Sequence, residues 1–199
     1  MRKFAALCLW LLAAALPAAA QDLPALFRVT GVATDDVLNI RSAPTASAPV
    51  IGSFAPHEIE IEVTGKDDSS KWASVNFGEA TGWASLRYLT RQEGNPDYAI
   101  AQHFTCFGTE PFWSLQVTQG QRAVITLPDT HSTNGAGLLQ VASGRTDRFV
   151  LGIEGGHAAI IRRQSCDDGM SDFTYGLAAD LLLEREGLTL LSGCCSITP

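Results

Sequence analysis

Short apolar runs separated by turn residues fill the first half of the chain. They cover residues 27–32, 37–40, 58–63, 71–77 and 82–84. Residues 58–63 alternate strictly between Glu and an apolar side chain, a period-two pattern that predicts a strand with its apolar face buried and its acidic face in water. Short strands at this spacing are typical of a small β-barrel or sandwich.

The second half carries a longer series of similar runs. They cover residues 113–118, 123–127, 137–142, 148–153, 157–162, 175–184 and 188–191. Residues 177–186 are rich in Ala, Leu and Glu, which also favour helices. Their length and the flanking Gly176 and Gly187 favour a strand, so this half is also predicted to be a β-meander or barrel.

The pattern divides the chain into four segments. Residues 1–20 form a predicted signal peptide, residues 26–91 a first β-unit, residues 92–102 a linker, and residues 103–199 a second β-unit. Gly94, Asn95 and Pro96 interrupt the pattern within the linker. The linker is expected to be tight and to contain one helical turn.

The signal peptide is predicted from three features at the start of the chain. Arg2 and Lys3 precede an apolar stretch over residues 7–16, and small residues lead to a predicted cleavage between Ala20 and Gln21. The alternative is a retained membrane anchor, but a bilayer helix needs about 20 apolar residues, and Pro17 interrupts this stretch. We therefore expect a periplasmic or secreted protein with no membrane span after signal removal.

The charge balance argues against nucleic acid as a partner. The chain has 14 Lys and Arg against 21 Asp and Glu, a formal net charge of −7. The surplus of cations that neutralises a phosphate backbone is missing.

Four of the five cysteines remain after the signal that contains Cys8: Cys106, Cys166, Cys194 and Cys195. An even number in an exported protein predicts two disulfides. A disulfide between the neighbours Cys194 and Cys195 is disfavoured for two reasons. Adjacent Cα atoms are about 3.8 Å apart, which is shorter than the usual separation in a disulfide, and adjacent side chains point to opposite faces of a strand. Two pairings stay open, and we favour Cys166–Cys194 with Cys106–Cys195.

Five motifs in the first unit resemble the bacterial SH3 (SH3b) family, in the same order and spacing. They are L-N-I-R-S-A-P at 38–44, V-I-G at 50–52, K-W-A-S-V at 71–75, T-G-W-A at 81–84 and Y-L at 88–89. Ala43 stands where the family most often has Gly. The resemblance covers residues 28–89 and implies a five-stranded SH3-like barrel, often found with cell-wall enzymes and sometimes binding peptidoglycan peptides.

The resemblance also implies a peptide groove in the first unit. Its candidate residues are Asn39, Arg41, Trp72, Trp83 and Tyr88. For the two tryptophans the favoured alternative is burial in the barrel core, because aromatic side chains supply much of a small core. Asn39 alternatively fixes a turn or the end of a strand.

Motifs in the second unit resemble an uncharacterised family of bacterial envelope proteins. G-T-E-P-F-W at 108–113 is similar to its G-N-E-P-F-W signature, with Thr109 in place of Asn. Residues 166–172, C-D-D-G-M-S-D, and the later Gly193-Cys194 are similar to its C-x-D-x-M-S segment and closing G-C. The resemblance implies a barrel-like envelope domain with Cys166 and Cys194 paired, and it carries no known function.

Metal sites are the weaker interpretations of these residues. His103 with the four cysteines would suit zinc by residue type, but an oxidising compartment favours disulfides. Asp167, Asp168 and Asp172 lack the order of a calcium loop, so we expect them to cap turns. No metal and no cofactor are predicted.

The favoured function is therefore non-catalytic. No nucleophile elbow, zinc-protease or phosphate-binding motif is present, and Glu110 is expected to join a buried hydrogen-bond network rather than act as an acid–base group with Glu154. The predicted partner is a peptidoglycan peptide or a periplasmic protein.

Two alternatives stay open. One is inhibition of a wall-degrading enzyme, because Ser143, Arg145 and Arg148 lie in a loop distantly similar to that of the membrane-bound lysozyme inhibitors. The other is a cell-wall hydrolase.

Overall fold

The computed structural model describes residues 23–185 and 187–198, so the predicted signal peptide and its cleavage site at Ala20 and Gln21 lie outside the described residues. Strands dominate both halves, and the predicted all-β fold class is confirmed. In the described part of the chain, no helix has the length and apolar character that a membrane crossing requires.

The first unit is built from eight short strands and a 3₁₀ helix. These are β1 (Ala25–Val29), β2 (Leu38–Arg41), β3 (Val50–Phe54), β4 (Ile61–Val63), β5 (Gly65–Lys66), β6 (Trp72–Phe77), β7 (Ala80–Ser85), the 3₁₀ helix (Leu86–Tyr88) and β8 (Leu89–Arg91). They form two sheets with strand orders β4-β1-β8 and β3-β2-β7-β6-β5. The chain passes from one sheet to the other at Thr64, between β4 and β5, as at the corner of a small barrel.

Alternation along the strands places one side of each sheet in the core of this unit. Ala73, Val75 and Ala84 of β6 and β7 are buried together with Ile40 of β2. Residues at alternating positions point to opposite faces, so Trp72 and Trp83 fall outside the core and are only half-buried. The favoured interpretation of these tryptophans as core residues is therefore wrong.

The strand predicted over residues 58–63 is much shorter than its alternation indicated. Only Ile61–Val63 is a strand, and Ile59 is 57% exposed. Glu62 was expected to face water, but its carboxylate is buried. The reason is tertiary: the outer face of β4 is covered by the second unit.

The second unit is a nine-stranded antiparallel sheet. Its strands are β9 (His103–Thr109), β10 (Phe112–Thr118), β11 (Arg122–Leu127), β12 (Thr130–Gly135), β13 (Gln140–Val141), β14 (Arg148–Ile153), β15 (His157–Cys166), β16 (Tyr175–Glu184) and β17 (Leu188–Ser196). The order is β12-β11-β10-β9-β17-β16-β15-β14-β13. Two meanders thus meet where the last strand returns beside β9.

The sheet curls until its two ends meet. The N–H of Gly137 donates to the carbonyl of Gly152, and the N–H of Glu154 donates to the carbonyl of Gly135, at 3.0 and 2.9 Å. These bonds join the end of β12 to β14 around a second, separate hydrophobic core. The sheet is therefore barrel-like, as predicted.

The strand interpretation of the Leu-rich segment is confirmed, because Tyr175–Glu184 is β16, paired with β15 and β17 on either side. Consecutive residues at its start are buried on both faces. One face lies on the barrel core, and the other is covered by the first unit near Gly176, where an added Cβ would lie 2.8 Å from Pro24. Burial on both faces removed the alternation that identifies an ordinary half-buried strand.

The two units contact each other directly. The backbones of Ala80 and Asp172 form a β-bridge, and the N–H of Thr81 donates to the carbonyl of Asp172 at 3.0 Å. Leu26 of β1 packs against the core of the second unit. Residues 92–102 contain turns but no regular helix or strand, and Ile100 also packs against the second core. The segment between the units is thus held against the barrel that follows it.

Candidate functional site

A groove of about 590 Å³ lies on the first unit, between the loop that follows β1 and the 3₁₀ helix. Its walls combine apolar, polar and charged side chains. They are contributed by Gly31, Val32, Ala33, Asp36, Val37, Leu38, Asn39, Arg41, Ala46, Trp72, Ser85, Arg87 and Tyr88. A concave surface with a few polar groups among apolar ones is the usual form of a ligand site.

Four of the five predicted groove residues line this cavity. Asn39 and Arg41 come from β2, Trp72 from the start of β6, and Tyr88 from the end of the 3₁₀ helix. Trp83 does not line it, although it lies on β7 directly opposite Arg41. The structure thus brings together residues from three separate sequence motifs and leaves out one.

Both signs of charge are present in the groove. Arg41 is held in place because its Nη1 donates to the carbonyl of Ala48 at 2.8 Å. The guanidinium of Arg87 lies over the ring of Tyr88, 5.6 Å from its centroid. Asp36 supplies a carboxylate, whose Oδ1 accepts the N–H of Val37 at 2.8 Å. The groove therefore offers two cations, one anion and two aromatic rings.

Asp36, Val37 and Arg87 were not among the predicted groove residues. They lie next to motifs that were recognised: residues 36 and 37 precede the L-N-I-R motif, and Arg87 precedes Tyr88. The available signal was the presence of charged and exposed apolar residues immediately beside motif positions.

Comparison with known protein families assigns the first unit to a family. Residues 36–90 match the family model of the bacterial SH3 domain. The match contains β2 to β7 and the 3₁₀ helix, and therefore most of the groove-lining residues. Neither the curated proteins nor the solved structures contain a match to this chain.

Two disulfides lie beyond the SH3 domain, in the favoured pairing Cys106–Cys195 and Cys166–Cys194. Cys106 and Cys195 are directly paired between β9 and β17, with Cα atoms 3.9 Å apart. This separation is about that of chain neighbours, so distance alone does not exclude a Cys194–Cys195 bridge. The decisive factor is direction, because adjacent cysteines of β17 point to opposite faces of the sheet. Two disulfides are typical of an extracytoplasmic protein.

The loop proposed to inhibit a glycosidase lies between β13 and β14. Arg145 forms a bidentate ion pair with Asp147 of the same loop, at 2.8 and 2.7 Å. Arg148 lies 3.9 Å from the same carboxylate, and Ser143 is exposed. The Arg145 guanidinium is thus already paired with Asp147. It would have to break this ion pair before it could bind a carboxylate of a glycosidase.

Residues from all three motifs of the second unit line a further cavity of about 720 Å³. Phe112 and Met170, 62% and 68% exposed, belong to its rim, and Gly193 also lines it. Glu110 lines this cavity as an exposed side chain, so the expected buried hydrogen-bond network at Glu110 is wrong. The physical reason is that Glu110 and Pro111 form the turn between β9 and β10, where side chains face solvent.

The acidic loop after Cys166 caps its own turn, as expected. Asp168 accepts the N–H groups of Met170 and Ser171 at 3.0 and 2.8 Å, and Asp167 accepts that of Gly169 at 2.7 Å. Burial alone would raise the pKa of Asp168, but the hydrogen bonds from Ser171 and Met170 outweigh burial and hold this pKa below its usual value. No cluster of three His, Cys, Asp or Glu side chains suited to a metal occurs in the described ranges, and the four cysteines considered with His103 as zinc ligands are joined in two disulfides.

Proposed function

We propose that the protein is an exported, non-catalytic binding protein whose SH3 domain docks on a peptide of the bacterial cell wall. The observation that carries the proposal is the groove itself, which joins Trp72 and Tyr88 to groups of both charges: Arg41, Arg87 and Asp36. A wall stem peptide is short and carries both amino and carboxylate groups, so this mixed lining complements it.

The overall charge supports specific recognition over bulk attraction. With a formal charge of −7, the chain is repelled by anionic wall polymers at long range. Binding must therefore come from local contacts in the groove. Arg41 can supply a directional hydrogen bond to the ligand, because its guanidinium is already held in place by the carbonyl of Ala48.

The non-catalytic assignment rests on the state of the cysteines. All four cysteines in the described part of the chain are in disulfides, so none of them offers the thiolate that a Cys–His hydrolase needs. The periplasm is the compartment that fits both the disulfides and a wall peptide as ligand.

The test is co-sedimentation of the protein, without its predicted signal, with purified peptidoglycan sacculi at physiological salt. We expect the protein to sediment with the sacculi. The Trp72→Ala variant should lose most of this binding. Trp83→Ala is the matched control, because it removes the same side chain from a neighbouring half-buried position that does not line the groove.

Melting temperatures of both variants separate lost binding from lost folding. If Trp72→Ala unfolds, Arg87→Ala replaces it, since Arg87 is exposed beside the same groove. No sedimentation of the wild type, or equal loss in the groove and control variants, would overturn the proposal and point to a periplasmic protein as the partner.

A further inference from the structure

A third cavity, of about 490 Å³, lies between the two domains and is separate from the SH3 groove. Aromatic rings from both sides form its walls. Phe54 and Phe77 of the SH3 domain meet edge to face with centroids 6.0 Å apart. Tyr175 of the second domain makes similar contacts with Phe107 at 5.0 Å and Phe173 at 6.2 Å. Domain interfaces are preferred places for ligand pockets.

The charges that line this cavity are all negative. Its ionisable side chains are Glu58, Glu60, Glu62 and Tyr175, and no Lys, Arg or His contributes to its lining. An anionic ligand would therefore be repelled, and a cationic one attracted.

Glu62 has the most buried of the three carboxylates. Its Oε2 accepts three hydrogen bonds from the C-terminal end of β17 and the residues that follow: the hydroxyls of Ser196 and Thr198 at 2.5 and 2.8 Å, and the N–H of Ile197 at 3.2 Å. Its Oε1 is also buried, and it has no hydrogen-bond partner among the described residues. The carboxylate is thus held firmly in one orientation with one oxygen unsatisfied.

A buried carboxylate with no cation beside it is costly, because burial favours the neutral form. This desolvation outweighs the three hydrogen bonds and raises the pKa of Glu62 above its usual value. Burial is also the main cause of the raised pKa of Tyr175, and the nearby charges of Asp168 and Glu62 raise it further. A positive group in the cavity would relieve both effects.

Aromatic rings favour the same kind of ligand. The face of an aromatic ring carries negative potential and attracts ammonium groups, most strongly where water is excluded. The rings also bury the apolar part of a ligand, while the carboxylate fixes its charged end.

From this arrangement we propose that the interdomain cavity binds an organic cation, a protonated amine carried on an apolar body, with Glu62 as its anionic anchor. The ligand contacts both domains at once. Binding at this site does not depend on the SH3 groove or on its proposed wall peptide.

The probe for a binding test is 2-phenylethylamine, and its matched control is 2-phenylethanol, which has the same ring and chain but no charge. Both are titrated by NMR into the protein without its predicted signal, at neutral pH. We expect the amine to bind at least about tenfold more tightly than the alcohol, a difference of about 1.4 kcal/mol. Resonances of residues that line the cavity should shift.

Glu62→Gln keeps the shape of the side chain and removes its charge. We expect this variant to bind amine and alcohol equally weakly. Glu79→Gln is the control, because Glu79 is an exposed carboxylate of the same domain that does not line the cavity. It should preserve the full preference for the amine.

A second readout follows the carboxyl carbon of Glu62 by NMR as the pH is changed. Saturation with the amine should lower the pKa of Glu62, and saturation with the alcohol should not. If Glu62→Gln fails to fold, Phe77→Leu at the half-exposed rim replaces it, and this change should weaken the amine more than the alcohol. Equal binding of amine and alcohol by the wild type, or an unchanged preference in Glu62→Gln, would overturn the proposal.

Discussion

The side-chain amide of Asn76 in the SH3 domain and the backbone of Thr174 in the second domain exchange two hydrogen bonds. Nδ2 of Asn76 donates to the carbonyl of Thr174, and the N–H of Thr174 donates to Oδ1 of Asn76, both at 3.2 Å. The hydroxyl of Thr81 completes the contact, because it donates to Oδ1 of Asn76 and accepts the N–H of Thr174, both at 2.7 Å. A single amide thus joins a hairpin of one domain to a loop of the other.

The first prediction concerns this junction. Asn76→Ala should lower the free energy of unfolding by about 1–3 kcal/mol, because the carbonyl of Thr174 loses its donor in a partly buried place. Urea unfolding checks the value. Glu79→Ala, at an exposed position of the same hairpin, should leave the midpoint unchanged. Equal midpoints for the two variants would show that the junction does not depend on Asn76.

The second prediction separates two neighbouring aromatic residues. Trp113 is 4% exposed within the second core, and its Nε1 donates to the carbonyl of Ser192 at 3.3 Å, whereas Phe112 is 62% exposed. Trp113→Ala should cost about 3–5 kcal/mol, because it leaves a large cavity in the barrel. Phe112→Ala should cost little.

Chemical denaturation of both variants measures this difference. A Trp113→Ala protein with an unchanged midpoint would show that the ring contributes to a surface and not to the core.

The third prediction compares the two disulfides. Cys106–Cys195 closes a separation of 89 residues and Cys166–Cys194 one of 28. Restriction of the unfolded chain grows with loop length, so replacing the first pair by alanines should cost about 1 kcal/mol more than replacing the second. Urea unfolding of the two double-alanine variants gives the comparison, and an equal or reversed order would contradict the chain-entropy explanation.

The fourth prediction concerns pH. Burial raises the pKa of Glu62 above its unfolded value of about 4.5, so the native state keeps this proton at a higher pH than the unfolded chain does. The contribution of protonated Glu62 to stability is complete below the pKa that this group has in the unfolded chain. It is lost as the pH rises through the pKa that Glu62 has in the folded protein. Relative to Glu62→Gln, the wild type should therefore become less stable as the pH increases from about 4 towards neutrality.

Thermal melts of wild type, Glu62→Gln and the control Glu79→Gln across this range measure the effect. Comparison with the Gln variant is necessary because other carboxylates have the opposite effect on the stability of the protein. The pKa values of Asp168 and Asp180 are lowered in the folded state, so their contributions to stability are lost as the pH falls. A difference between wild type and Glu62→Gln that does not change with pH would contradict the prediction.

The local features of the fold were predictable from the amino-acid sequence. Period-two patterns and turn residues are set by nearest neighbours, so the all-β class was predictable, including the strand at Tyr175–Glu184. Motifs that resemble the bacterial SH3 family predicted the SH3 domain, and that resemblance implied four of the residues that line its groove. The cysteine pairing was narrowed to two alternatives, because neighbours on a strand face opposite ways.

The segments that cover each strand were not predictable from the sequence, because they come from distant parts of the chain. Glu62 has the same local pattern as an exposed strand residue, yet the end of β17 packs over it and removes it from water. Trp72 and Trp83 were equivalent in sequence, but only one of them lines the groove. Burial depends on which surfaces distant segments bring together, and a pattern of neighbouring residues carries no information about those segments.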